Sequence, residues 1–187
     1  KSGMSINRIS EIVVNCAGLW GRQLGMMAGV NVPLHAAEHF YIVTENIGLP
    51  STLPVLRDPS SWIYAKEDAG KMLVGCFEPK SKPRPLNTIP EDFSFGQFEE
   101  DWEHFEPAML NAMHRIPKLE DAGIHTFFNG PESFTPDDRY ILGEAPELKN
   151  FYVAAGLNSI GIQSAGGAGK VLSEWIVNSY PPIDLWD

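Results

Sequence analysis

FYVAAGLNSIGIQSAGGAGK, residues 151–170, decides the fold class. Its first six residues form a short apolar run closed by glycine, which predicts a buried strand over 151–156. Val171, Leu172, Trp175 and Ile176 recur at helical spacing beyond it and predict a helix over 165–178. A strand, a glycine-rich turn and a helix in this order aim backbone N–H groups at an anion. The turn is not a Walker loop, because Ser164 stands where the first glycine is required and Val171 where Ser or Thr is. It also lacks the dinucleotide fingerprint, since Leu172 follows Gly167 and Gly169 where a third glycine belongs. Ser164 is the expected helix cap. Cofactor contact and tight helix–sheet packing both remain open for this turn.

Outward from this unit, EIVVNCAG (11–18) predicts a second buried strand, and LWGRQLGMMAG after it a short helix. Residues 39–44, 61–66 and 71–77 are rich in aromatic and β-branched residues and read as strands. The last two are joined by EDAG as a hairpin. A long helix begins near Gln97, with Trp102, Phe105, Met109, Ala112, Met113 and Ile116 on one stripe and Pro107 as a kink or restart. Residues 123–128 form one more strand. The chain is therefore mixed α/β, with an antiparallel-rich middle between two pieces of a different sheet.

Composition narrows the function. Of 187 residues, 43% are hydrophobic and 11% aromatic, a globular balance. The net charge of −10, from 14 Lys+Arg against 24 Asp+Glu, disfavours nucleic-acid backbones and anionic membranes as partners. No run is long enough to span a bilayer, and KSGMSINRIS has no apolar region to make it a signal peptide. Cys16 and Cys76 sit in apolar runs and are expected as buried, reduced thiols. The chain opens without Met and enters a strand at once, which reads as a segment of a longer protein.

PLHAAEHFYIVTE (33–45) contains His35-Ala-Ala-Glu38-His39, the H-x-x-E-H spelling of an inverted zinc peptidase. That site needs a helix. Pro33 before it and FYIVT after it favour extended backbone, which would part the two histidines by about 13 Å, out of reach of one metal. On a strand, His35, Ala37, His39, Tyr41 and Val43 share a face, and a satisfied structural histidine is the plain reading of His39. Arg57 and Arg139 are loop arginines able to bind a carboxylate, although surface pairing is the commoner use. His104, His114 and His125 have no partner pattern.

VVNCAGLWGRQLG, PLHAAEHFYIVTE, LPVLRD with WIYAKEDAGKMLVG, FEEDWEHFEPAMLNAMHRIPKLEDAGI, NGPESFTPDDRYILGEAPEL and FYVAAGLNSIGIQSAGGAGKVLSEWI, in this order, resemble the flavin-dependent sarcosine and dimethylglycine dehydrogenases and oxidases. These belong to the glycine oxidase and D-amino-acid oxidase superfamily. The resemblance covers nearly the whole chain. It implies the C-terminal part of an FAD-binding lobe plus an antiparallel substrate lobe, with residues 1–28 and 146–187 in the former and 29–145 in the latter. Three family features lie outside this chain: the G-x-G-x-x-G segment, the flavin-attaching histidine and the folate-binding region of longer members.

Residue by residue, the resemblance makes His39 the active-site histidine and Tyr64 the active-site tyrosine. It puts Trp20 and Tyr64 beside the flavin, and makes Leu157, Asn158, Ser159, Ile160, Gly161 and Ile162 the loop crossing the isoalloxazine ring. It implies FAD as cofactor, an N-methyl amino acid such as sarcosine or dimethylglycine as substrate, folate as a partner through the absent region, and a cytoplasmic or mitochondrial-matrix setting. The chemistry is coherent. A neutral amine is the oxidisable form, and a histidine can take its proton near neutral pH. A tyrosine hydroxyl can hold the amine or carboxylate, and a helix N-terminus near Ser164 can stabilise negative charge on reduced flavin. A non-catalytic protein of the same fold, the pyruvate dehydrogenase phosphatase regulatory subunit, is similar over the same stretches.

Overall fold

The computed structural model describes residues 9–85, 88–90 and 92–183. The chain's first eight and last four residues, and part of the Pro-rich loop around position 86, lie outside them. The chain forms two compact units. One is built from the chain up to His35 and again from Ser133, the other from Ala36–Glu132.

The first unit holds a three-stranded sheet of β1 (Val13–Asn15), β9 (Phe151–Ala155) and β8 (Ile141–Glu144), in the order β1-β9-β8. β1 runs parallel to β9, and β8 antiparallel to it. Alternation along β9 sends Phe151, Val153 and Ala155 into a core with Val30, Val32 and Leu34. Because these three belong to this core, the unit extends to His35, beyond the boundary at residue 28 drawn from sequence. On the other face, Tyr152 meets Trp175 of α3 (Gly161–Asn178) edge-to-face at 6.2 Å. α1 (Gly21–Met27) follows a 3-10 turn at Gly18–Trp20 and packs through its glycines: a Cβ at Gly25 would meet Val32 at 2.7 Å.

Two expectations fail in this unit. The strand predicted over 11–18 shrinks to three residues with Val13 and Val14 about 40% exposed, and Cys16 is exposed, not buried. The reason is edge position: among the described residues β1 pairs with β9 alone. The buried residue is polar. Asn15 donates from Nδ2 to the Gly21 carbonyl at 2.8 Å and fixes the turn into α1.

The second unit is a six-stranded sheet. Its path runs β3 (Leu56–Asp58), β4 (Ile63–Asp68), β5 (Lys71–Cys76), β2 (His35–Thr44), β6 (Pro83–Arg84), and β7 (Ile124–Phe134) also pairs with β2. One face is closed by α2 (Trp102–Arg115): Phe40 and Ile42, Ile63 and Ala65, and Met72, Val74 and Cys76 pack with Phe105, Ala108 and Ala112. Cys76 is buried as expected, and burial first, then the nearby Glu78, pushes its thiol well above the ordinary range. α2 runs through Pro107 as one helix, so of the kink or restart expected there the restart does not occur. The carbonyl that loses its donor there belongs to Glu103, an exposed residue.

Polar ties fasten this layer. Glu38, buried among the core residues, takes Asn129 Nδ2 at 2.7 Å and pairs with Arg84 and Lys82. Lys82 also pairs at 2.7 Å with Asp101, which caps α2 through the His104 N–H. The acid of the H-x-x-E-H spelling is thus the anchor of β6 and β7 to the central strand. Asp58 caps the 3-10 turn Pro59–Ser61 and accepts Arg115 Nε at 2.8 Å, joining β3 to the end of α2.

Arg115 holds the Asp58 carboxyl below its ordinary value of 3.8. A depressed carboxylate stabilises the fold above that value, and the contribution is lost as pH falls through the lower folded value. Asp58→Asn is therefore expected to lower the urea midpoint at pH 7, with the gap to wild type narrowing as pH is taken below 3.8. A gap that is the same at pH 7 and pH 3 refutes the ion-pair account.

Candidate functional site

The residues left over by the core lie on the other face of the second unit's sheet. Since Phe40 and Ile42 point to α2, His39 and Tyr41 point away from it. The register aligns Tyr41, Gly75, Tyr64 and Arg57 in one row across β2, β5, β4 and β3. No helix stripe covers this face among the described contacts of that row, and its side chains are half-buried to exposed.

His39 and Tyr64 meet here although their strands are not neighbours. β5 runs between them. Their rings are parallel, 9° apart with centroids at 6.4 Å, and His39 Nε2 lies 3.3 Å from the Tyr64 hydroxyl. The bridge is possible because Gly75 is directly opposite Tyr64: a Cβ at this glycine would overlap the Tyr64 Cζ and Oη atoms. Phe77, just past β5, tilts against both rings at 5.1 and 5.5 Å. Glu132 on β7 places Oε2 3.6 Å from His39 Nδ1. Arg57 lies 4.8 Å over the Phe77 ring. Tyr41 stacks on Phe128 at 4.7 Å and walls one side.

Burial first, then the neighbouring acidic groups of Cys76 and Glu132, push the Tyr64 hydroxyl far above its ordinary value of 10.0. Tyr64 stays a donor at every working pH. With Tyr64 donating, neutral His39 accepts at Nε2 and carries its proton on Nδ1, toward Glu132. The cluster can therefore fix an imidazole in one tautomer and present a hydroxyl beside it.

The first unit carries the other predicted residues. Gly156, Asn158 and Ser159 all adopt positive φ, at 62°, 46° and 67°. Asn158 holds the loop in place: its Oδ1 accepts the Thr135 N–H at 3.0 Å and its Nδ2 donates to Thr135 Oγ1 at 3.0 Å. Leu157 and Ile160 close the turn through a backbone bond of 3.0 Å. The helix starts at Gly161, four residues earlier than predicted, so Gly161 and Ile162 are its first turn and not loop, and Ser164 is not the cap. Packing of Leu172 and Trp175 outweighs the low helix propensity of the glycines. No side chain caps this end and its first turn has no acid, so the N–H groups of 161–163 remain available to an anion. Trp20 is 40% exposed and Ile162 wholly so. The uncapped donors with exposed Ile162 among them, and the exposed indole of Trp20 in the same unit, are of types that suit an anionic, aromatic cofactor such as FAD.

The remaining candidates have ordinary partners. His104 pairs with Glu78 at 3.2 Å, His125 with Glu45 at 3.3 Å, and Arg139 lies in an exposed turn whose N–H bonds to Asp137. His35 starts β2, so the H-x-x-E-H stretch is extended and not helical. Phe77, Gly75 and Glu132 were not singled out from sequence. Only Gly75 carried a signal, being a glycine inside an apolar strand run.

A model of the FAD dependent oxidoreductase family matches residues 2–175. The chain is 46% identical to the 4-methylaminobutanoate oxidase (formaldehyde-forming) of Paenarthrobacter nicotinovorans over 92% of its length, covering 21% of that protein. It is 42% identical to human mitochondrial sarcosine dehydrogenase over 92% of its length, covering 19% of it. It is also 40% identical to the mouse mitochondrial pyruvate dehydrogenase phosphatase regulatory subunit over 95% of its length, covering 20%. The chain thus spans about a fifth of the curated relatives it matches. In three dimensions it superposes on glycine oxidase from Geobacillus kaustophilus with TM-score 0.72 at 21% identity, covering 95% of this chain and 44% of that one. The fold is of that type.

Gly75→Ala tests how the pair is held. Removing a strand glycine ordinarily stabilises a protein by about 0.4–1 kcal/mol where the backbone tolerates it. Here the added methyl must displace Tyr64, so we expect a loss of about 1–3 kcal/mol, the range for overpacking, read from denaturant midpoints. Suppression in a Gly75→Ala, Tyr64→Ala double variant would confirm the cause; stabilisation by Gly75→Ala alone would refute it.

Proposed function

Since the chain belongs to the FAD-dependent oxidoreductase family, we propose that it forms part of an enzyme oxidising the N-methyl group of an amino acid. The observation that carries this reading is the His39–Tyr64 pair on an open sheet face, in a chain 46% and 42% identical to enzymes named for 4-methylaminobutanoate and sarcosine. Bound FAD supplies the two-electron acceptor for the hydride of the N-methyl carbon. On this reading Trp20, Leu157, Asn158, Ser159, Ile160, Gly161 and Ile162 of the first unit and Tyr64 of the second would be the residues that hold it, and the uncapped N–H groups at the start of α3 would favour its negative charge.

His39 and Tyr64 act on the amine. Once the Tyr64 hydroxyl turns from Nε2 to the ligand, His39 accepts the ammonium proton at Nε2, which makes the nitrogen lone pair available. Tyr64, a permanent donor, positions the neutral amine or its carboxylate. Loss of hydride leaves an iminium. Water adds to it, and the carbon leaves as formaldehyde or passes to folate. The setting is the cytoplasm or mitochondrial matrix; among the described residues no helix is long and apolar enough to cross a membrane.

A second reading is favoured by the 40% identity to a phosphatase regulatory subunit: the fold kept, the reaction lost. Absorbance of the full-length protein separates the two. On the enzyme reading, a flavin band bleaches on adding sarcosine, dimethylglycine or 4-methylaminobutanoate. His39→Ala and Tyr64→Phe then keep the flavin and lower the bleaching rate on the order of 10²–10⁴-fold and tenfold or more, respectively. A colourless protein, indifferent to added FAD, selects the regulatory reading. Normal rates in both variants reject the assigned residues.

A further inference from the structure

We propose that Arg57 and Glu132 are the two poles of a seat for a zwitterionic amino acid, with the carboxylate at Arg57 and the amino group at the Glu132 end, beside the His39 ring. The proposal rests on the N-methyl amino-acid reading and adds the orientation of the ligand and the residues that select it.

Arg57 is the cation in the row of Tyr41, Gly75 and Tyr64 on this face. Its neighbours in sequence and in register are committed: Asp58 is taken by Arg115, and Tyr64, opposite Arg57 across the β3–β4 ladder, turns toward His39. Among the described residues Arg57 makes neither an ion pair nor a side-chain hydrogen bond, and what fixes it is the Phe77 ring beneath it at 4.8 Å. A guanidinium stacked on an aromatic face keeps its in-plane donors free for a bidentate carboxylate. The two other arginines of this unit differ. Arg84 also stacks, on Phe98 at 4.6 Å, but its donors are spent on Glu38, and Arg115 is spent on Asp58.

Glu132 is the matching anion. Its carboxylate reaches only His39 among the described ion pairs, at 3.6 Å, with both side chains largely but not wholly buried at 25% and 16% exposure. An ammonium arriving beside His39 would find its counter-charge there. The two poles flank one aromatic platform: Phe77 touches Arg57, His39 and Tyr64. Their opposite charges both reach Tyr64, Glu132 raising and Arg57 lowering its proton affinity. A simple amine satisfies one pole and leaves the other desolvated without a partner; a zwitterion satisfies both, which is how a polar site rejects the analogue lacking one group.

The test uses probes that cannot be oxidised at nitrogen, so that binding is read without turnover. Glycine betaine carries both charges, acetate only the negative and tetramethylammonium only the positive. Binding to the full-length protein is measured by calorimetry. Arg57→Gln is expected to weaken betaine and acetate tenfold or more and to leave tetramethylammonium unchanged, with Arg57→Lys recovering part of the loss. Glu132→Gln is expected to weaken betaine and tetramethylammonium and to spare acetate. Betaine affinity unchanged in both variants, each with a wild-type melting profile, overturns the seat. Flavin bleaching in the parent tests the oxidation reading separately: bleaching with indifferent betaine binding sinks the seat alone, while pole-dependent betaine binding without bleaching keeps the seat and moves it to a ligand-sensing protein.

Discussion

The period-two alternation of one strand, HAAEHFYIVT, organises the second unit. β2 pairs with β5, β6 and β7, so its side-chain phase is imposed on every neighbour. Phe40 and Ile42 in one phase make the core under α2, and each buried methylene there contributes about 0.8 kcal/mol. His39 and Tyr41 in the other phase are put beyond the reach of that core. A register slip of one residue would bury the imidazole and expose the phenylalanine. The hydrophobic effect that closes one face therefore also decides which residues are left for chemistry on the other.

Glu38 adds a constraint that apolar packing cannot. It lies in the core phase, where an unpaired charge would be costly, and it is tolerated because Arg84 and Asn129 satisfy its two oxygens. The requirement works in both directions: the carboxylate needs those partners, and β6 and β7 are thereby tied to the central strand. Glu132, at the far end of β7, gains its place next to His39 from the same tie.

Much of this was legible in the chain. The alternation of β2, the strands β4, β5 and β9, and the apolar stripe of α2 are local patterns, and local patterns survive folding. What was missed depends on neighbours. EIVVNCAG looks buried because its residues are apolar, yet burial of a strand depends on having partners on both sides, and among the described residues β1 has one. α3 begins early because Trp175 and Leu172 pack well down its length, while the glycines at its start suggest a turn. Glu132 and Phe77 lie outside any motif and reach His39 only through sheet pairing. Gly75 looks like a weak point in a strand, and its purpose appears only when Tyr41 and Tyr64 are found on either side of it.

That arrangement has a thermodynamic consequence. His39 and Tyr64 stand on strands two ladder steps apart, a span of about 9.5 Å fixed by hydrogen-bonded strand spacing. Side chains mounted on loops must lose conformational freedom when a ligand arrives, and binding is weakened by that ordering. Here the ordering is completed at folding, by the same ladder that holds the sheet. A ligand docking against the paired imidazole and hydroxyl meets a preorganised surface, and its affinity reports shape and charge match with little entropy subtracted for the protein.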